Sequence, residues 1–337
     1  MSDIKGKRWT NKTAPKKVLF IRLQALGDTV ITMPYIRGFA QRFPEIEIHF
    51  LTRKEVEDIP HAMKCIHKVW SLGGGRKTWK IAFDAVCLLP RLKAQGFDIV
   101  FDLQNNKISE LVRKGLVPAA WSAFDRFSSL PAGERTQNTI EFVGLGAVPA
   151  LYQINQAVPK KVPQLLAGIG EDILKVIVNP AGFFESRKWP VENYVHWARS
   201  LTEAYQGRVN FIFIGIDRIA QLAEHFEREF ANTTNLVGKT SVSEAYGLVQ
   251  SADFMLSEDS GLMHMAWTSG IPTLALFGSS RSDWSRPLGS HTRLLSSDDL
   301  ACGNCLLPVC KWGDNRCLTR YSPEMVLAET KRLLNDR

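Results

Sequence analysis

The 337-residue sequence has no apolar run approaching the ~18 consecutive residues that mark a membrane-spanning helix. Its opening Met1-Ser-Asp-Ile-Lys-Gly-Lys puts no apolar stretch after the charges, so no secretory leader is expected and the expected compartment is the cytoplasm. No G-x-G-x-x-G follows the first apolar run, which removes the close backbone approach to a pyrophosphate expected of a dinucleotide-dependent dehydrogenase. Short-period repeats and low-complexity tracts are also missing, which excludes solenoids and largely disordered chains. Acidic residues are the scarcer charge, 34 against 42 Lys and Arg. Residues 1–17 alone carry six cations and one Asp, so +5 of the net +8 lies in this tail. Such a tail is either a solvated arm or a contact for anionic lipid or a phosphorylated acceptor.

What is present is the composition of a folded soluble protein, 45% apolar and 23% charged, at a length that suits two domains. Apolar runs rich in Val, Ile and Phe recur at Val18–Leu23, Ile46–Leu51, Ile99–Leu103, Val176–Asn179, Val209–Ile214, Phe254–Ser257 and Thr273–Phe277. They read as buried parallel strands. Helical patterns at Tyr35–Arg42, Val191–Ala204, Ile219–Phe230 and Gly261–Thr268 alternate with them, as in doubly wound α/β domains. A Pro- and Gly-punctuated stretch from Val148 to Gly170 separates the two series. Two Rossmann-like domains are therefore expected, at 1–165 and 172–337. The closing segment Pro323–Leu334 reads as an amphipathic helix that could return to cover the first domain.

In open α/β sheets, ligands sit beyond the carboxyl ends of the strands. There the sequence offers Gly27-Asp28 after the first strand, where Asp28 is either a catalytic base or a helix cap. In the second half, Asn179-Pro-Ala-Gly leads to Arg187-Lys188-Trp-Pro190 at a helix start. Those two cations either meet a nucleotide diphosphate or are a solvated surface pair. Glu258-Asp259-Ser260-Gly261-Leu-Met-His264 runs from strand into helix. Ser260 is expected to cap, Asp259 to accept hydrogen bonds from sugar hydroxyls, and His264 to be either packed or a ligand contact. Gly278, after the next strand, allows a ligand close to the backbone.

Taken in order, Val18-Leu-Phe-Ile-Arg-Leu-Gln-Ala-Leu-Gly-Asp28, Phe101-Asp-Leu-Gln104-Asn105, Asn179-Pro-Ala-Gly, Arg187-Lys-Trp-Pro, Leu236-Val-Gly-Lys-Thr-Ser and Glu258-Asp-Ser-Gly-Leu-Met-His264 resemble glycosyltransferase family 9, which contains the ADP-heptose:lipopolysaccharide heptosyltransferases. The resemblance covers nearly the whole chain. It implies a GT-B fold, two Rossmann-like domains facing across a cleft, and inverting, metal-independent transfer of heptose or a related sugar from an ADP-sugar to a hydroxyl. The absence of a D-x-D pair accords with that. By the same resemblance Asp28 is the base, with Gly27, Gln104 and Asn105 on the acceptor side. The donor site takes Asn179, Arg187, Lys188, Asp259, Ser260, Gly261, His264 and Gly278. Two departures stand out: Arg187 replaces a usual Lys, and Glu258 stands where many relatives have Asn. The acceptor implied is lipopolysaccharide core or, alternatively, a protein hydroxyl, with the enzyme cytoplasmic and able to contact the inner face of the inner membrane.

Of six cysteines, Cys65 and Cys87 stand apart, whereas Cys302, Cys305, Cys310 and Cys317 fall within 16 residues. Four thiols at this spacing in a reducing compartment suit a closed structural metal site, iron or zinc, with free or reversibly oxidised thiols as the alternative. The cluster also resembles those of autotransporter heptosyltransferases, where a bound iron organises a finger, which puts iron beside zinc as the implied metal. A nucleic-acid-binding module built on this knuckle and the basic tail is a competing reading, but it accounts for less of the chain, and no nucleic-acid partner is expected.

Overall fold

A computed structural model describes residues 4–75, 77–152 and 158–335. The chain divides into two compact units, Met1–Leu151 and Tyr152–Arg337. That division comes earlier than the 165–172 expected from Pro and Gly punctuation. The reason is local packing: the Tyr152 ring lies against Trp267 and His291, and Val162 is buried on the short helix Lys161–Leu165, which packs on the helix Val242–Gln250. Part of the punctuated stretch, 153–157, lies outside the described residues.

The first unit holds β1 (Lys5–Lys7), β2 (Lys17–Ile21), β3 (Glu47–Arg53), β4 (Lys68–Leu72), β5 (Ile99–Asp102) and β6 (Ala120–Ala123) in the order β1-β6-β5-β2-β3-β4. All neighbours run parallel except β1, which pairs antiparallel with β6 through Lys5↔Ala123, Gly6↔Ser122 and Lys7↔Trp121. Within the basic tail, Lys5–Lys7 is thus an exposed edge strand held to the sheet rather than a loose arm. Gly6 enters the sheet because a Cβ there would stand 2.5 Å from the Trp121 carbonyl oxygen. The second unit holds β7 (Leu174–Asn179), β8 (Val209–Gly215), β9 (Thr233–Val237), β10 (Phe254–Glu258), β11 (Thr273–Leu276) and β12 (Thr292–Leu295) in the order β12-β11-β10-β7-β8-β9, all parallel.

Central strands of both sheets are covered on two faces, which is why they read as unbroken apolar runs. Val18–Ile21 and Val176–Val178 are fully buried. In the second unit Trp197, Phe211, Phe226 and Phe254 fill one side of the sheet. The final helix, Pro323–Asn335, packs on the helix Val191–Ala204, and Trp197 Nε1 donates to Thr330 Oγ1 at 3.1 Å. Its apolar residues Val326 and Leu333 are therefore buried in the second unit, although the sequence allowed them a role on the first.

Each sheet has a point where the chain reverses its direction of winding. In the first it lies between β2 and β5, in the second between β7 and β10. The loops at the carboxyl ends of those strands are where a doubly wound sheet presents a ligand site. No helix among the described residues is long and apolar enough to cross a membrane.

Candidate functional site

At the switch point of the second sheet, β7 ends in Asn179 and β10 in Ser257-Glu258. Asn179 is fully buried and its Nδ2 donates to Ser257 Oγ at 2.8 Å and Ser260 Oγ at 2.5 Å. Its Oδ1 is buried with no hydrogen-bond partner. Ser260 is the N-cap of the helix Gly261–Thr268 and accepts from Met263 N at 3.2 Å. The expected cap is therefore formed, and Gly261 opens the helix with its amide in the first turn. Burying an amide side chain among hydroxyls requires that each donor find an acceptor, and this network fixes the β7 and β10 ends against each other.

Beside it, Arg187 Nη1 lies 3.3 Å from Asp259 Oδ2, with the two side chains only 15% and 16% exposed. Arg187 also stacks over the Phe184 ring at 5.0 Å, and its Nε is buried without a partner. Lys188 faces the other way, pairing with Glu185 at 2.5 Å on the exposed side of the loop. Of the two cations considered for a diphosphate, Arg187 is the one placed with Asp259. The loop that carries it, 182–189, is anchored by Glu258, whose Oε2 accepts from Gly182 N and whose Oε1 accepts from Trp189 N, both at 2.6 Å. Tyr194 OH donates to the same Oε1 at 3.1 Å. Burial pushes the Glu258 carboxyl up to about 7 against the pull of those donors and of Lys188. Burial, reinforced by the Glu258 charge, raises the Tyr194 phenol. The sequence marked Glu258 only as a departure from a pattern.

His264, 6% exposed, accepts from Trp267 Nε1 at Nδ1, 3.0 Å away. The side chain is thus packed and hydrogen-bonded. Gly278 closes the site on the far side of β11: a Cβ there would stand 2.1 Å from the Ser186 carbonyl oxygen. Ser186, adjacent to Arg187, bonds Ser279 Oγ at 2.8 Å and reaches the Leu307 carbonyl, while Leu306 N donates to Ser279 O at 2.8 Å. The cysteine loop is thereby sewn onto the loop that bears Arg187.

Cys302, Cys305, Cys310 and Cys317 line one cavity of about 660 Å³ together with Ser186, Gly278 and Trp312. The Cys317 thiol is pushed up to about 11, first by burial and then by the neighbouring Cys310, Cys305 and Cys302. Among the described residues, no three His, Cys, Asp or Glu side chains are gathered closely enough to hold a metal ion. The thiols share a cavity wall without closing a coordination sphere.

In the first unit Gly27 and Asp28 lie within the first turn of the helix Leu26–Arg42, not in a loop ahead of it. Asp28 caps this helix from its third position rather than as the N-cap residue: its Oδ2 accepts from the amide of the N-cap Ala25 at 3.2 Å and pairs with Arg22 Nη2 at 2.9 Å. Arg22 is 6% exposed, donates to the Leu103 carbonyl and lies over the Phe124 ring at 5.2 Å. Gln104 Oε1 accepts from Leu23 N at 2.9 Å and Gln24 N at 3.0 Å, holding the strand exit in place. Asn105 sits at φ 46° and its Nδ2 donates to Phe124 O at 2.8 Å, a left-handed turn residue that Asn tolerates. Arg22, Asp28 and Gln104 line a cavity of about 360 Å³ with Phe124, Arg126 and Arg135, whereas Asn105 lines a separate one. Sequence reasoning did not single out the three arginines, because Arg22 lies far along the chain from Arg126 and Arg135 and only the fold brings them to one cavity.

The family model described as glycosyltransferase family 9 (heptosyltransferase) matches residues 159–314, the stretch that contains the Asn179, Arg187 and Asp259 constellation. A lipopolysaccharide core heptosyltransferase, OpsX, of Haemophilus influenzae is 23% identical over 78% of this chain and 79% of its own length. Lipopolysaccharide heptosyltransferase 1 of Pseudomonas aeruginosa is 22% identical over 94% of this chain and 98% of its own. Among solved structures, a family 9 glycosyltransferase from Veillonella parvula superposes with TM-score 0.77 at 16% identity, over 96% of this chain and 98% of that one. The E. coli ADP-heptose lipopolysaccharide heptosyltransferase II superposes with TM-score 0.71 at 17% identity, over 95% and 99%.

Proposed function

Because this chain is a glycosyltransferase of GT-B fold resembling the family 9 heptosyltransferases, we propose that it transfers heptose from an ADP-sugar to a hydroxyl of lipopolysaccharide core, with inversion and without a catalytic metal. Asp28 accepts the proton of the acceptor hydroxyl, and the freed oxygen attacks the anomeric carbon opposite the phosphate. The bond from that carbon to the phosphate oxygen breaks, and its electron pair leaves with ADP. Arg187 meets the charge that develops there, a task suited to a planar, permanently charged guanidinium. Arg22 orients the Asp28 carboxylate through its 2.9 Å ion pair. Asp259 and Ser260 bond sugar hydroxyls, and the open amides at the head of the helix Gly261–Thr268 favour the diphosphate.

The observation that carries this reading is Arg187 set against Asp259 at the switch point of the second sheet. Calorimetric titration with ADP-heptose, with UDP-glucose and NAD as controls, tests the donor. Selective binding supports the reading, and its absence in folded protein removes it. Turnover on core oligosaccharide rather than on protein hydroxyls then tests the acceptor.

The four-cysteine loop is proposed to take a structural iron or zinc. That assignment rests on the thiol donor set and the shared cavity, and the metal enters no chemical step. Lys5 and Lys7, exposed on the edge strand β1, are proposed to favour a peripheral contact with anionic lipid on the inner membrane face. Cosedimentation with anionic vesicles that survives Lys5→Glu together with Lys7→Glu would remove that assignment.

A further inference from the structure

Glu258 is completely buried, yet no arginine or lysine forms an ion pair with it among the described residues. An ionised carboxylate without water or a paired cation is costly to bury unless its lone pairs are filled. Here they are filled almost wholly by backbone. One oxygen takes the amide of Gly182 and the other the amide of Trp189, both at 2.6 Å, with the Tyr194 hydroxyl at 3.1 Å as a third donor. These amides are the two ends of the loop that bears Arg187. A single carboxylate therefore closes the loop like a clasp, and the residue after it, Asp259, meets the Arg187 guanidinium at 3.3 Å. Gly182 permits the clasp, since a Cβ there would stand 2.7 Å from Glu258 Oε2 and 2.4 Å from the Arg187 carbonyl oxygen.

We infer that Glu258 is a positioning residue for donor binding: its carboxylate fixes the 182–189 loop so that Arg187 meets the nucleotide diphosphate. The inference rests on the donor reading given above and adds a residue that acts through Arg187 rather than on the sugar nucleotide. Its chemistry also makes the clasp sensitive to protons. A protonated carboxyl turns one acceptor oxygen into a donor that faces an amide N–H, and one end of the loop is released. The charged and titratable groups acting on Glu258 are Tyr194, on the helix Val191–Ala204, through its hydrogen bond, and Lys188, turned outward on the loop, through its charge alone, and both favour the charged form. Burial sets the transition near 7, inside the range in which an enzyme works.

The test compares wild type with Glu258→Gln and Tyr194→Phe, measuring ADP affinity by calorimetry and the donor KM and kcat from pH 6 to pH 8.5. In wild type, ADP affinity and donor KM are expected to weaken about tenfold as pH falls through the transition, while acceptor KM stays level. Glu258→Gln should show the weakened affinity at every pH, with the pH dependence gone. Tyr194→Phe removes one donor to the carboxylate, so its transition should move to higher pH. An unchanged donor KM and pH profile in Glu258→Gln overturns the inference. If that variant does not fold, a transition in Tyr194→Phe at the wild-type pH overturns it instead. Wild-type protein that binds no ADP or ADP-heptose at any pH would strike the donor reading itself, an outcome distinct from either.

Discussion

Arg187 and Asp259 lie 3.3 Å apart with about 15% of either side chain exposed, so the guanidinium proposed to meet the diphosphate is already held by a carboxylate. The arrangement keeps the cation oriented and desolvated before any donor arrives, which lowers the reorganisation needed on binding. On the proposed donor reading the pair sets up a contest: a diphosphate would share Arg187 with Asp259, and Asp259 would contribute only where a sugar hydroxyl rewards it with hydrogen bonds.

That contest predicts different effects for nucleotide and nucleotide sugar. In Asp259→Ala, ADP should bind as well as in wild type or better, because a repelling carboxylate is gone, while ADP-heptose loses its preference over ADP. Calorimetry with both ligands gives the ratio. A variant that loses both affinities equally would mean that Asp259 serves Arg187 alone.

Arg187→Ala should lower kcat/KM by about 10²- to 10³-fold, the scale of removing one preorganised charge from a leaving group. Arg187→Lys should recover part of this, since a lysine supplies charge without the two-pronged geometry. Steady-state kinetics on all three forms decides it, and equal activity in Arg187→Ala would return the role to Lys188.

Asp28→Asn should reduce turnover by about 10²- to 10⁴-fold, the usual worth of a general base. ADP affinity should be unaffected, because the role proposed for Asp28 is toward the acceptor hydroxyl and not toward the nucleotide. Single-turnover transfer together with nucleotide binding separates the two. Retained turnover would make the Arg22 to Asp28 pair a purely structural brace for the helix start.

The central strands were legible in the sequence because burial on both faces leaves an unbroken apolar signature: all seven predicted runs are strands. β4, β6, β9 and β12 escaped, since Lys68–Leu72 and Thr233–Val237 are half-exposed edge strands and a Ser interrupts Ala120–Ala123 as an Arg interrupts Thr292–Leu295, leaving no unbroken apolar run. β1 escaped because Lys5-Gly-Lys is a strand only by virtue of its antiparallel partner. The site shows the same division. Asn179, Asp259 and Ser260 sit at or just after strand ends, Asp28 in the first turn of a helix and Arg187 on the segment leading to one, all in local motifs, whereas Glu258 draws its meaning from Gly182 and Trp189, 76 and 69 residues away. Nothing local distinguishes it from any other acidic residue beside Asp259.

Glu258 also predicts how stability varies with pH. Its carboxyl titrates near 7 in the folded protein against 4.5 ordinarily, so between those values the folded state binds the proton more tightly than the unfolded one. Its contribution to stability is fully present below 4.5, declines as pH rises and is lost above 7, by on the order of 3 kcal/mol. Denaturant titrations at pH 5 and pH 8 should therefore show a larger drop for wild type than for Glu258→Gln. Donor affinity is expected to move the opposite way over the same range. A carboxylate whose ionised form costs stability and improves binding is one whose role lies in the site, whereas a parallel change in both quantities would make Glu258 a structural residue only.

The proposed metal gives the last prediction. The cysteine loop joins the Arg187 loop through Ser186, whose hydroxyl meets Ser279 and the Leu307 carbonyl and whose own carbonyl accepts from Cys317 Sγ at 3.8 Å. A metal drawing the four thiols together would therefore stiffen Ser186 and with it the residue that follows. Elemental analysis of protein purified without chelator should find about one iron or zinc per chain, and Cys302→Ser together with Cys305→Ser should abolish it. Stripping the metal should then raise the donor KM and lower Tm, leaving the acceptor KM in place. Metal-free protein with full activity and unchanged Tm would leave these residues as free thiols lining a surface cavity.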